Sequence, residues 1–272
     1  MSRFYNYLSI SKQFFAFSIL CLGISLSSHS FANTNSLEDV FNAQINAYYS
    51  INGFYNFSAN QGAQKDLADI NESMDALKAT FSSLATASQE TSNEETFSVV
   101  EENWNNYLKL LKQNIKEVKR SGYPDLRLAG DMAAANIVLN NSLSDFYKQL
   151  LTSVENKPNK FTNLSREAAV NIALMMTKYS ARSTSTVSQV YADSTTEITI
   201  DALANEFEKQ LTNLMNLSKE KPVTFKLLDS ANTKWDFIKS SYINYNENRV
   251  NFIVNLYSKK IISDITEALN SK

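Results

Sequence analysis

Apolar residues recur along most of this chain at alternating spacings of three and four. Leu67, Ile70, Met74, Leu77, Phe81 and Leu84 form one such series, and Phe207, Leu211, Leu214 and Leu217 form another. At 3.6 residues per turn each series falls on one stripe of a helix. The pattern predicts helices near 36–60, 63–87, 93–120, 127–155, 163–191, 195–218, 223–247 and 249–270. Polar residues at several starts agree with it. Ser36 precedes Glu38 and Asp39, Asn93 precedes Glu94 and Glu95, Ser165 precedes Glu167, and Ser194 has Glu197 at capping-box distance. Such residues answer the free N–H groups and the positive pole of a first helical turn. Ser121-Gly122-Tyr123-Pro124 and Lys157-Pro158-Asn159 are the clear interruptions,. Nothing between Tyr245 and Asn251 breaks a helix, so the last two segments read equally as two helices or as one rod. With 5 Gly and 3 Pro in 272 residues, the chain lacks the turn residues that an all-β fold needs. The expected fold is all-α.

The pattern also repeats itself. Leu77, Phe81 and Leu84 correspond to Phe207, Leu211 and Leu214 at an offset of 130, as Tyr49 does to Tyr179. Phe97 and Trp104 correspond to Leu228 and Trp235 at an offset of 131. Matched spacing across two successive helices is the mark of an internal duplication. The expected architecture is a tandem pair of antiparallel helical bundles, elongated, over residues 33–156 and 159–272 and joined at Lys157-Pro158-Asn159. Two halves that share long helices are the alternative.

The start of the chain reads differently. Arg3 and Lys12 bring positive charge, Phe14 to Leu26 is an apolar run, and Ser30-Phe31-Ala32 is a small-x-small pattern. Residues 1–32 are therefore expected to be a signal peptide, which places the rest in the periplasm or outside the cell. The run is short of the ~20 residues of a membrane span; a retained anchor is the alternative. Lipidation at Cys21 is disfavoured by the bulky Leu20 before it.

Removing this leader changes the available chemistry. Cys21 and His29 are the chain's 1 Cys and 1 His, and both leave with it. The mature chain then has no thiol for a disulfide, a nucleophile or a metal and no imidazole for acid–base work. Its four glycines, Gly53, Gly62, Gly122 and Gly130, are too scattered for a phosphate-cradling loop. The sequence carries 26 Lys and Arg against 28 Asp and Glu, and loses two of the basic residues with the leader. That mildly acidic balance speaks against nucleic-acid binding. Glu94-Glu95, Glu101-Glu102 and Glu206/Glu208 are the densest acidic groups, and they read as solvated helix faces rather than as catalytic pairs. No cofactor is expected, and the protein is not expected to be an enzyme.

Two segments stand out as candidate binding surfaces. Lys178-Tyr179-Ser180-Ala181-Arg182 begins a helical stretch of small and polar residues running to Thr186. Lys178 and Arg182, four apart, share a face that would clamp an anion or, more simply, meet solvent and neighbouring acids. Arg166 is another of the mature chain's few arginines, with Arg120, Arg127, Arg182 and Arg249. The aromatic run Tyr48-Tyr49-Ile51-Phe54-Tyr55-Phe57 puts rings around a helix rather than on one stripe,. It predicts a helix buried between neighbours, with a ligand-holding face as the alternative. The candidate ligand-binding residues are thus Lys178, Tyr179, Arg182, Arg166, Tyr48 and Tyr49. Tyr242 to Arg249 is polar and reads as solvated.

Val100-Glu101-Glu102-Asn103-Trp104-Asn105-Asn106-Tyr107 gives a V-x-x-x-W-x-x-Y helix, and Thr233-Lys234-Trp235-Asp236-Phe237-Ile238 stands at the second position. Following a Leu/Phe stripe, this resembles the periplasmic sensory domain of type IV pilus chemoreceptors (PilJ-type), over residues 40–118 and 170–250. That family's first helix carries a basic, Gln-rich segment of the form RMLSQR. Here Ala43-Gln44-Ile45-Asn46-Ala47-Tyr48-Tyr49 and Ala173-Leu174-Met175-Met176-Thr177-Lys178-Tyr179 stand instead, without arginine. The resemblance implies a sensory bundle that reports to another protein. The expected function is a non-enzymatic, sensor-ectodomain-like module binding a small ligand or an envelope protein partner. A secreted membrane-active protein, inserting Met132 to Leu139 or Ala168 to Met176, is the alternative; an envelope spacer is a third.

Overall fold

The computed structural model describes residues 28–90, 93–154, 156–183, 198–245 and 250–271. Among them there are eight helices and no strand: α1 Ser28–Ala59, α2 Gln64–Glu90, α3 Glu94–Ser121, α4 Leu126–Ser153, α5 Lys160–Ser183, α6 Ile200–Leu217, α7 Pro222–Ile243 and α8 Asn251–Asn270. The all-α expectation is met. The last two segments are two helices, and they pack against each other: the Tyr242 and Ser258 hydroxyls are 2.7 Å apart and Lys234 pairs with Asp264 at 2.6 Å.

The helix ends show which local signals acted. At α4 Asp125 accepts a hydrogen bond from the Leu128 N–H at 2.8 Å. At α3 Gly122 takes a left-handed φ of 81° and returns its N–H to the Val118 carbonyl, a conformation that glycine adopts without a side-chain penalty. Two expected caps are corrected. Ser36 is buried inside α1, because no glycine or proline interrupts the chain between Ser28 and Leu37. Ser165 is likewise inside α5, whose first turn is capped by Asn159 through the Thr162 N–H at 2.9 Å. Asn93 does stand at the N-cap position of α3, but its side chain makes no bond to that helix's first turn; it accepts from Gln149 Nε2 at 3.2 Å. Ser194 lies outside the described residues.

The helices close into two rings of four. In the first, Ser83 of α2 reaches Asp39 of α1 at 2.6 Å, Asn114 of α3 reaches the Leu128 carbonyl of α4 at 3.0 Å, and Asn136 of α4 donates to the Ala47 carbonyl of α1 at 3.1 Å. In the second, Asn171 of α5 meets Gln210 of α6 at 3.1 Å, Lys239 of α7 pairs with Glu208 of α6, and Ser180 of α5 meets Asn255 of α8 at 3.1 Å. Neighbours within each ring run antiparallel. Each ring centres on a tryptophan. Trp104 stacks on Phe81 at 5.1 Å, and Trp235 lies against Phe207 at 4.8 Å and Tyr242 at 5.8 Å.

The rings are fused along α1 and α5, which run side by side in the same direction. Phe41, Ile45 and Tyr48 of α1 pack in the core of the second ring, and Ala181 of α5 packs in that of the first. Asn56 accepts hydrogen bonds from Asn251 at 3.0 Å and Asn255 at 3.3 Å, and Lys259 pairs with Asp69 at 3.5 Å. As a result α1 has no solvent face over residues 50–55, every one of which is buried. Of the aromatic run, Tyr48, Ile51, Phe54, Tyr55 and Phe57 are buried, as the expected helix between neighbours requires, and Tyr49 is half-buried. Tyr242, read as solvated, is fully buried. It sits in the last turn of α7, and its ring completes the Trp235 stack.

Candidate functional site

One recess in the molecule gathers mixed chemistry over an apolar floor, and it lies where the two rings meet. Ser144, Tyr147, Lys148 and Leu151 come from α4, and Asn163, Arg166, Glu167 and Val170 from α5. Both quartets have i, i+3, i+4, i+7 spacing, so each is one face of its helix. Phe41 and Gln44 of α1 close the base. The cleft holds about 250 Å³, somewhat larger than the ~150 Å³ cavity that accepts a benzene ring.

Arg166 is the residue that gives the cleft a character. Its side chain is only 8% exposed, and its guanidinium carbon lies 5.9 Å from the ring centres of both Phe41 and Tyr147. Nη1 donates to the Tyr147 hydroxyl at 3.1 Å, and that hydroxyl is 3.5 Å from Asn163 Oδ1. Among the described residues Nε finds no acceptor and no carboxylate lies within ion-pair reach of the guanidinium. A buried charge without a counter-charge is costly, several kcal/mol being typical. Glu167, next in sequence, turns to the exposed side. Partial burial and, after it, the Glu206 carboxylate of α6 raise its carboxyl above the ordinary value.

The other sequence-picked residues are placed elsewhere. Lys178, Tyr179, Ser180 and Ala181 are all buried, so the expected solvated face is not there. The Lys178 ammonium donates to the Ile198 carbonyl at 3.1 Å. The Tyr179 hydroxyl accepts from the Val250 N–H at 3.2 Å, and its ring meets Tyr242 edge-on at 5.7 Å. Arg182 is exposed and lies over the Tyr245 ring at 4.2 Å. Lys178 is thus buried and Arg182 exposed; Ser183 is the last described residue of the stretch. Tyr48 is core, and Tyr49 is half-buried under the Lys259 ammonium at 5.4 Å. Burial raises both phenols above their ordinary value. Of the six, Arg166 alone reaches the cleft. Its partners were missed because Tyr147, Asn163 and Phe41 become neighbours only through the α1–α4–α5 packing, which no local pattern encodes.

Among the described residues no group of three or more His, Cys, Asp or Glu converges in a way that would hold a metal ion. Glu94, Glu95, Glu101, Glu102 and Glu206 are exposed, as solvated faces should be. The segments weighed for membrane insertion supply core: Met132, Ala133 and Leu139, and Ala168, Ile172 and Met175, are fully buried. No described helix is long and apolar enough to cross a membrane. Comparison with protein-family models, with curated proteins and with solved structures finds no match.

Proposed function

We propose that this chain is an exported, non-catalytic helical module that binds a small ligand in the cleft between α4 and α5. The observation that carries this reading is Arg166: a residue nine-tenths buried, its guanidinium held between two aromatic rings at the junction of the rings of helices and, among the described residues, without a carboxylate partner. Folding an arginine into such a place without a counter-charge is unfavourable unless something else draws on it. The cleft joins one helix from each ring, so an occupant there would bear on both, as a sensor-ectodomain-like module requires. The leader pattern before Asn33 and the PilJ-like V-x-x-x-W-x-x-Y helix support the same reading.

The test is a thermal-shift screen of the full mature chain against a broad set of small metabolites, run in parallel on Ser144→Trp. Ser144 is half-buried on the cleft wall, so an indole there fills the recess without removing a core side chain. At least one compound is expected to raise the Tm of the natural chain by several degrees and to leave Ser144→Trp unmoved. No response from the natural chain, or an equal response from both, defeats the proposal.

A further inference from the structure

Resting on that cleft, we infer that its ligand is an organic monocarboxylate with a compact apolar body, its carboxylate on Arg166 and its body against Phe41, Tyr147, Leu151 and Val170. Among its described lining residues the cleft supplies one buried cation. Lys148, the other basic residue of the lining, is exposed and already paired with Asp145 at 2.9 Å. A guanidinium offers a planar fork of N–H donors, which a carboxylate matches with two parallel hydrogen bonds. With Nη1 turned to the Tyr147 hydroxyl, the fork is fixed in orientation before any ligand arrives.

The walls define the rest of the molecule. Phe41 and Tyr147 flank the guanidinium, and Leu151 and Val170 continue the apolar surface. A body of about ten non-hydrogen atoms suits a volume of this order, judged against a benzene-sized cavity. Glu167 on the exposed side supplies the discrimination. A second negative charge on the ligand would meet this carboxylate, which already feels the charge of Glu206. Dianions are therefore disfavoured. Inorganic phosphate or a phosphate ester would ask for more positive charge than one arginine gives.

Isothermal titration of the full mature chain decides the matter, with phenylacetate, its neutral amide phenylacetamide and the dianion phenylmalonate as probes. Phenylacetate is expected to bind at least tenfold more tightly than either of the others. Arg166→Met should weaken phenylacetate at least tenfold and leave phenylacetamide nearly unchanged, with an unaltered far-UV circular dichroism spectrum. Glu167→Gln should tighten phenylmalonate severalfold and scarcely move phenylacetate. Equal binding of acid and amide by the natural chain, lost in Ser144→Trp, overturns the carboxylate and leaves the cleft standing. An absence of phenylacetate binding also overturns the inference, while the cleft itself is judged by the broader screen with Ser144→Trp.

Discussion

Arg166 and Glu167 are adjacent in sequence and sit in opposite electrostatic situations. The arginine is enclosed with no ion-pair partner among the described residues; the glutamate is on the wet side with another acid near. Glu167 has its carboxyl raised, first by burial and then by Glu206, so the folded chain holds that proton more tightly than the unfolded chain. The contribution to stability is present below the ordinary carboxylate value and is lost as pH rises through the raised one. Glu167→Gln is expected to melt above the natural chain at neutral pH, with the gap closing as pH falls below ~4; a Tm series from pH 3 to 7 checks it. Gly122 offers a cleaner single-residue test. Its φ is +81° and a Cβ there would touch nothing within 4 Å. Gly122→Ala should therefore cost about 1 kcal/mol of backbone strain alone, measurable by urea denaturation.

At the scale of the helix, α1 and α3 show what a sequence can and cannot tell. In α3 the buried residues Phe97, Val100, Trp104, Tyr107, Leu111, Asn114 and Val118 follow one stripe, and the pattern located both the helix and its inner face. In α1 the aromatic run was legible as too apolar for one stripe, which pointed to a helix between neighbours. Which neighbours they were was not legible, because ring pairing across α1 and α5 depends on contacts far apart in sequence. The polar stretch Lys178 to Ala181 was misread for the same reason: Lys178 and Ser180 find partners on other elements, and composition alone does not reveal a partner. The aromatic packing around the tryptophan of each ring carries its own prediction. Trp235 is fully enclosed and its indole N–H has no acceptor among the described residues. Trp235→Ala should cost about 3–5 kcal/mol, and Trp235→Phe distinctly less, since it gives up an unsatisfied donor together with some volume. Equal losses for the two in chemical denaturation would contradict this account.

For the molecule as a whole, the fusion matters more than the count of bundles. The second core borrows Phe41, Ile45 and Tyr48 from α1. A fragment covering 159–272 would expose the apolar face that these three side chains cover. It is expected to bind a hydrophobic dye and to lack the sharp thermal transition of the full chain; a cooperative, dye-silent fragment would show that the second ring stands alone. Export is testable independently. Cleavage after Ala32 would leave Asn33 as the first residue and spare every buried side chain described here, the first of which is Ser36. Mass spectrometry of envelope-fractionated protein is expected to find that terminus.

The absence of any outward face over residues 50–55 of α1 has a consequence for variation. Most helices of such a protein accept change at two or three positions in every turn, which gives a record of substitutions its familiar beat. Residues 50–55 should accept it nowhere. At Gly53 a Cβ would stand 3.0 Å from Cγ1 of the fully buried Ile70, so even one added methyl group requires that side chain to shift. In a saturation library selected for folded protein, this segment should appear as an unbroken intolerant band, while α3 alternates between tolerance and loss.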